Sequence, residues 1–196
     1  MKELPAGRQP EPQMLPNVSA DVSSLDTISR PAVFFDRDGV LNADSGFVYL
    51  PKDFQWIDGA IKTIKFFNNA KYLVFVVTNQ SGVARGYYTE YDVQQLHKWM
   101  NAELAKQAAH IDAFYYCPHY PEAKLEQYRK ICQCRKPMPG LLQQAIREWP
   151  VKPNKSFLIG DKDTDLKAAA TTGIRGYLFN EENLFNFSTR VGLIKQ

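Results

Sequence analysis

Asp36 and Asp38 stand two positions apart in the stretch FFDRDGV, directly after an apolar run. Two carboxylates that close cannot both stay ionised without a counter-charge, and a divalent cation supplies one. Mg²⁺ takes few carboxylates and completes its shell with water and phosphate oxygens, so two or three aspartates suit it. Beside such an ion the first aspartate can attack phosphorus and form an aspartyl-phosphate, which splits one hard hydrolysis into two easier steps. The second aspartate can protonate the leaving oxygen and later deprotonate water. Gly39 would let the backbone approach a phosphate. Alone, the pair reads more readily as a strand-end turn in which Asp hydrogen-bonds locally. Other polar residues shift that weighting: Thr78 after LVFVVTN, Arg135 and Lys136 in RKP, and Asp161 and Asp165 in GDKDTD. A hydroxyl and two cations could stabilise a transferring phosphoryl group.

A second constellation uses all three cysteines of the chain. CPHYPEAKLEQYRKICQCRKP places Cys117 and His119 one residue apart, and Cys132 and Cys134 likewise, across a polar loop. Three thiolates and one imidazole make a closed tetrahedral set of the kind that holds structural zinc. The loop has few apolar anchors and needs something to fold around. The alternative is three reduced thiols and a surface histidine. The expected zinc loop, 117–134, ends at Arg135 and Lys136, so its metal would position those cations. His97 and His110 are expected to be structural or solvated.

These residues need a scaffold. The prolines Pro5, Pro10, Pro12 and Pro16 and the lack of periodicity mark 1–30 as an extended or disordered tail, leaving 31–196 as one domain. Within it, β-rich runs (AVFFD, LVFVVTN, AFYYC, SFLIGD, GYLFN) alternate with helical patterns. Ile61, Ile64 and Phe67 fall at helical spacing, Thr89 with Asp92 forms a helix start, Pro139 opens PGLLQQAIREW, and Gly173 suits a helix stop. Apolar strands alternating with helices predict an α/β fold with a mostly parallel sheet covered on both faces. In such sheets ligands bind beyond the carboxyl ends of the strands. Asp36, Thr78, Cys117 and Asp161 all follow strand runs and would meet in one crevice.

Composition narrows the class further. The chain has 196 residues, 44% of them apolar, enough for one good-sized core. A formal charge of +3 with no dense basic block argues against a nucleic-acid partner. No apolar run approaches the roughly 18 residues needed to span a membrane, and no secretory h-region opens the sequence. An odd cysteine count fits a reducing cytoplasm better than a disulfide framework. A cytoplasmic monomer is expected.

In combination, FFDRDGVLN, VVTNQSG, CRKP and LIGDKDTDL resemble the four motifs of haloacid dehalogenase (HAD)-type phosphatases, over roughly Ala32 to Asn180. The resemblance implies a Rossmann-like, three-layer α/β/α fold. It makes Asp36 the nucleophile, Asp38 the acid/base, and Thr78 and Lys136 phosphoryl stabilisers. Mg²⁺ would be held by Asp36, Asp161 and the backbone carbonyl of Asp38, with Asp165 supporting Asp161 and Lys136. The zinc loop resembles the branch holding histidinol-phosphate and heptose-bisphosphate phosphatases. TNQSGVARGYYT and ADSGFVYLPKDFQWIDGAI favour the second, which would make the reaction hydrolysis of the C7 phosphate of a heptose 1,7-bisphosphate, for lipopolysaccharide or surface-glycan precursors. Histidinol phosphate as substrate and a non-catalytic phospho-sugar binding module are the rivals. Substrate contacts implied are Asp44, Ser45, Gly46, Phe47, Asn79, Gln80, Ser81, Arg135 and Lys162. No long insertion follows the first or third motif, so no large cap domain is expected, and Asp44–Phe47 and the zinc loop would close the crevice. One departure stands out: such phosphatases commonly read Cys-Pro-His-His-Pro, and this chain has Tyr120 at the second histidine.

Overall fold

The structure, a computed structural model, describes residues 29–195. Most of the expected tail therefore lies outside the described residues. At its boundary Arg30 already belongs to the fold, because it bridges Val151 and its N–H donates to the Pro150 carbonyl at 2.7 Å.

Five strands form one sheet: β1 (Ala32–Phe35), β2 (Leu73–Asn79), β3 (Ala113–Cys117), β4 (Phe157–Gly160) and β5 (Arg175–Leu178). Their order is β3-β2-β1-β4-β5, and every pairing is parallel. The chain runs outward from β1 to β3, then returns to the other side of β1, so β1 and β4 flank the point where the strand order reverses. A crevice opens there at the carboxyl ends.

Both sheet faces are apolar because side chains alternate along each strand. Val33, Phe35, Val74, Val76 and Ile159 pack on one side against α1 (Ala60–Asn69), α3 (Glu90–Ala105) and α6 (Leu184–Arg190). Ala32, Phe34, Phe75, Val77 and Leu158 pack on the other against α4 (Gly140–Glu148) and α5 (Asp163–Thr171). This is the expected three-layer α/β/α arrangement. Thr89 caps α3 in a reciprocal box with Asp92, as its spacing predicts. Pro139 sits at the N-cap of α4, one position ahead of the helix proper. The sequence reading did not foresee α6 or the single turn α2 (Gly82–Arg85).

Between β1 and α1 the chain forms loops and one short turn, Pro51–Asp53, with no inserted domain. Among the described residues no helix is long and apolar enough to cross a membrane.

Candidate active site

Asp36 follows β1 and continues its ladder, donating its N–H to the Ile159 carbonyl at 2.9 Å. Its Oδ1 accepts the Arg37 N–H at 2.7 Å and lies 2.9 Å from Lys136 Nζ. Lys136 is buried and also meets Asp165 Oδ1 at 2.6 Å and the Val77 carbonyl at 2.8 Å. The ammonium is thereby held between two carboxylates and a carbonyl. One ammonium serves two carboxylates, so a net negative charge remains in a dry site. Burial accordingly pushes Asp36 up to about 7, against the lowering pull of Lys136. Burial works to lower Lys136, but Asp36 and Asp165 outweigh it and hold the ammonium above its usual range.

The same corner fits a divalent cation. Carboxylate oxygens of Asp36, Asp161 and Asp165 lie within 4.8 Å of one another. Asp161 Oδ1 is buried with no hydrogen-bond partner among the described residues, an orphan acceptor of the kind a metal satisfies. Burial also raises the Asp161 pKa. Gly39 adopts φ 87, and a Cβ there would come within 2.4 Å of Asp161 Oδ2, so the approach of Asp161 to this turn requires glycine. The Asp38 carboxylate is not in the cluster, which leaves its backbone carbonyl as the possible ligand. Asp165 is in the cluster, yet its oxygens serve Lys136 and the Lys162 N–H (3.1 Å), a supporting position. Asp36 and Asp161 thus fit Mg²⁺.

Asp38 is held apart from Asp36. The Arg37 Nη2 donates to both its oxygens at 2.9 and 3.0 Å, Asn42 Nδ2 to Oδ1 at 3.1 Å, and Gln80 Nε2 to Oδ2 at 2.9 Å. Arg37 is fully buried and also donates to the Val48 carbonyl at 2.6 Å. Gln80 Nε2 lies 2.9 Å from Thr78 Oγ1 as well, while its Oε1 accepts the Tyr88 hydroxyl at 2.7 Å. Gln80, expected as a substrate contact, bridges the Thr78 hydroxyl and the Asp38 carboxylate. Asn79, expected in the same role, pairs its amide with the main chain of Lys136 at 3.0 and 3.1 Å. It holds the cation in place.

A cavity of about 450 Å³ opens over these groups. Asp36, Asp38, Thr78, Lys136 and the expected contacts Asp44, Gly46, Phe47, Asn79, Gln80, Ser81, Arg135 and Lys162 line it; Ser45 does not. Tyr88 and Thr164 also line it without having been foreseen, and Arg37 and Asn42 were likewise missed. An arginine between two aspartates does carry a sequence signal, since like charges need a counter-ion. Across the mouth, Lys162 Nζ approaches Asp44 Oδ2 and Asp161 Oδ2, each at 3.3 Å.

Beside the cavity, Cys117, His119, Cys132 and Cys134 converge as expected. The sulfurs of Cys134 lie 3.0 Å from Cys117 and 3.3 Å from Cys132, with Cys117 to Cys132 at 3.5 Å. His119 presents Nδ1, 3.2 Å from Cys134 and 3.6 Å from Cys117. These separations far exceed a disulfide bond of about 2.05 Å. They approach the roughly 3.8 Å edges of a tetrahedron with zinc–sulfur bonds of about 2.3 Å. The cluster could hold zinc after an outward shift of a few tenths of an ångström at most edges. Hydrogen bonding from Cys117 lowers Cys134 to about 5, whereas the Cys117 thiol is pushed up, first by its bond to Cys134 and then by burial. His97 is buried against Phe114 at 4.4 Å, and His110 is exposed, so neither joins the cluster.

Comparison with known proteins agrees with this geometry. A HAD-hydrolase-like family model matches residues 133–183. A D-glycero-beta-D-manno-heptose-1,7-bisphosphate 7-phosphatase of Rhodopseudomonas palustris is 44% identical over 162 residues, covering 83% of this chain and 90% of the relative. The Haemophilus ducreyi protein of that name is 47% identical over 149 residues, covering 76% and 81%. Among solved structures, D,D-heptose 1,7-bisphosphate phosphatase from B. bronchiseptica, complexed with magnesium and phosphate, superposes with a TM-score of 0.69 at 31% identity. That match covers 85% of this chain and 89% of the other.

Proposed function

This chain belongs to the heptose-1,7-bisphosphate 7-phosphatase family of HAD-like phosphatases, and on that footing we propose that it removes the C7 phosphate of D-glycero-D-manno-heptose 1,7-bisphosphate through an aspartyl-phosphate. The observation that carries the reading is Asp36, ionisable near neutral pH and aimed by Lys136 and the Arg37 N–H at the floor of the cavity. Those two donors fix the carboxylate through Oδ1, and Oδ2 has no donor among the described residues. Mg²⁺ held by Asp36, Asp161 and the Asp38 carbonyl would neutralise charge on the phosphoryl oxygens. Thr78 Oγ and Lys136 Nζ donate to the same group as its charge spreads. Asp38, held by Arg37, Asn42 and Gln80, protonates the departing sugar oxygen and then takes a proton from the water that attacks the aspartyl-phosphate.

The primary C7 ester reaches a narrow site more readily than the anomeric one. Arg135 at the rim would grip the non-reacting phosphate, since a guanidinium pairs with phosphate bidentately. Reduced thiols in the Cys/His cluster support a cytoplasmic site of action, and a monomer is the proposed working form. Asp36→Asn keeps the shape and removes the nucleophile, so turnover should fall by orders of magnitude with no phosphoenzyme trapped. A variant retaining more than a few per cent of the rate would rule out the covalent route. A panel of both heptose bisphosphate anomers and histidinol phosphate tests the substrate; faster turnover of histidinol phosphate would overturn it.

A further inference from the structure

Arg135 has few direct holds on the protein. Its Nη1 reaches the His119 carbonyl at 3.3 Å, and its guanidinium carbon lies 5.2 Å from the centroid of the Tyr120 ring. The same ring carries a second guanidinium, that of Arg85, at 4.3 Å. Arg85 also stands 5.8 Å from the ring of Phe47, which lines the cavity. Its Nε is buried with no hydrogen-bond partner among the described residues. Neither arginine has a carboxylate within ion-pair distance among the described residues; apart from the His119 carbonyl, the contacts they make there are with aromatic rings. Two like cations on one ring repel each other unless an anion joins them. Arg135 lines the cavity and Arg85 stands behind it across the Tyr120 ring, so this corner of the rim carries a doubled positive charge suited to a dianion.

We propose that Tyr120 is the positioning residue for this rim: its ring fixes Arg135, with Arg85 beside it, for the non-reacting phosphate of a bisphosphate substrate. The inference rests on the bisphosphate reading above and deepens it. The position is well placed to do this. Tyr120 directly follows the zinc-cluster ligand His119, its N–H donates to the Tyr128 carbonyl at 3.2 Å, and its own carbonyl accepts the Ala123 N–H at 3.1 Å. The Cys/His cluster and these backbone bonds thus set the ring, and the ring sets the arginine. The Tyr120 hydroxyl makes no hydrogen bond among the described residues, so the aromatic face does the positioning and a phenyl ring suffices. A cation held over an aromatic face gains roughly two- to fivefold in equilibrium terms per contact.

The test compares kcat/KM for the heptose bisphosphate and for a simple aryl phosphate in the zinc-loaded protein, with zinc content measured for each variant. Tyr120→Leu is expected to lower the bisphosphate value about tenfold, chiefly through KM, with aryl phosphate turnover within about twofold and zinc retained. Tyr120→Phe restores the wild-type value. Arg85→Gln, which leaves the zinc loop untouched, reproduces the bisphosphate-selective loss. Equal losses on both substrates with Tyr120→Leu, or no loss with either variant, would overturn the proposal. If the wild type itself prefers the aryl phosphate, the bisphosphate reading fails with it. If the wild type prefers the bisphosphate and the variants do not discriminate, only the positioning role fails.

Discussion

Replacing Lys136 with Met tests how the buried charges are balanced. The ammonium faces Asp36 at 2.9 Å and Asp165 at 2.6 Å, each pair worth about 6 kcal/mol of gross attraction at an effective dielectric of 20. Desolvation offsets most of that, and losing one member of a buried pair typically costs about 3–5 kcal/mol. Much of the response should appear as proton uptake. Asp36 already titrates at about 7, and Lys136 is what pulls it down from higher values. Its folded pKa exceeds the unfolded value near 3.8, so its contribution to stability is full below that value and lost as pH rises toward the folded pKa. In the metal-free wild type the loss is complete a little above pH 7. Without Lys136 the folded pKa moves higher, and stability keeps falling by about 1.4 kcal/mol per pH unit between pH 7 and 9. Urea unfolding of both metal-free proteins across that range reads the difference, and Mg²⁺ should stabilise the variant more than the wild type. Parallel stability–pH curves with equal Mg²⁺ effects would refute this account of the site.

Cys132→Ser should lower zinc from about one ion per chain and reduce activity by displacing Arg135 and Lys136; elemental analysis with kinetics checks both. Gly39→Ala forces a Cβ within 2.4 Å of Asp161 Oδ2 at a φ of 87, so Mg²⁺ affinity measured by calorimetry should drop by an order of magnitude or more. His97 is buried and its pKa is held well below 6.5, by burial first and then by Arg37. It stays neutral when folded, so stability is full above pH 6.5 and falls by up to about 1.4 kcal/mol per unit below it; His97→Phe should flatten that acid slope in thermal unfolding.

Much of the scaffold was legible because it is written locally. The apolar runs became β1 to β5, and Thr89 with Asp92 fixed the start of α3. The helix α6 was missed although Asn183 caps it by accepting the Asn186 N–H, because its apolar stripe is short. Asp36, Lys136, Asp161 and the cysteine cluster were legible from residue type and order. What escaped was wiring between distant segments. Asn79 and Gln80 follow a strand that ends at the crevice, so they read as ligand contacts; their amides are taken by Lys136, 57 positions away, and Asp38, 42 positions away. Arg37 offered only the signal of a counter-ion between two aspartates; its full burial follows from Val48 and Gln80 folding over it.

The central place of β1 bears on how the chain comes off the ribosome. Of the described strands the first in the chain is the central one, and its second neighbour, β4, comes fourth of the five: Ala32 N–H bonds Ser156 Oγ across 124 positions. During synthesis Asp36 emerges long before Lys136 and Asp165, with Phe34 and Phe35 beside it and half their cover untranslated. Such a strand can dock early only on β2. Completion of the core, closure of the cavity and charge balance around Asp36 then wait together for the last third of the chain. A truncated product would carry Asp36 without Lys136, Asp161 or Asp165 around it, so the proposed phosphoryl chemistry would be confined to finished molecules.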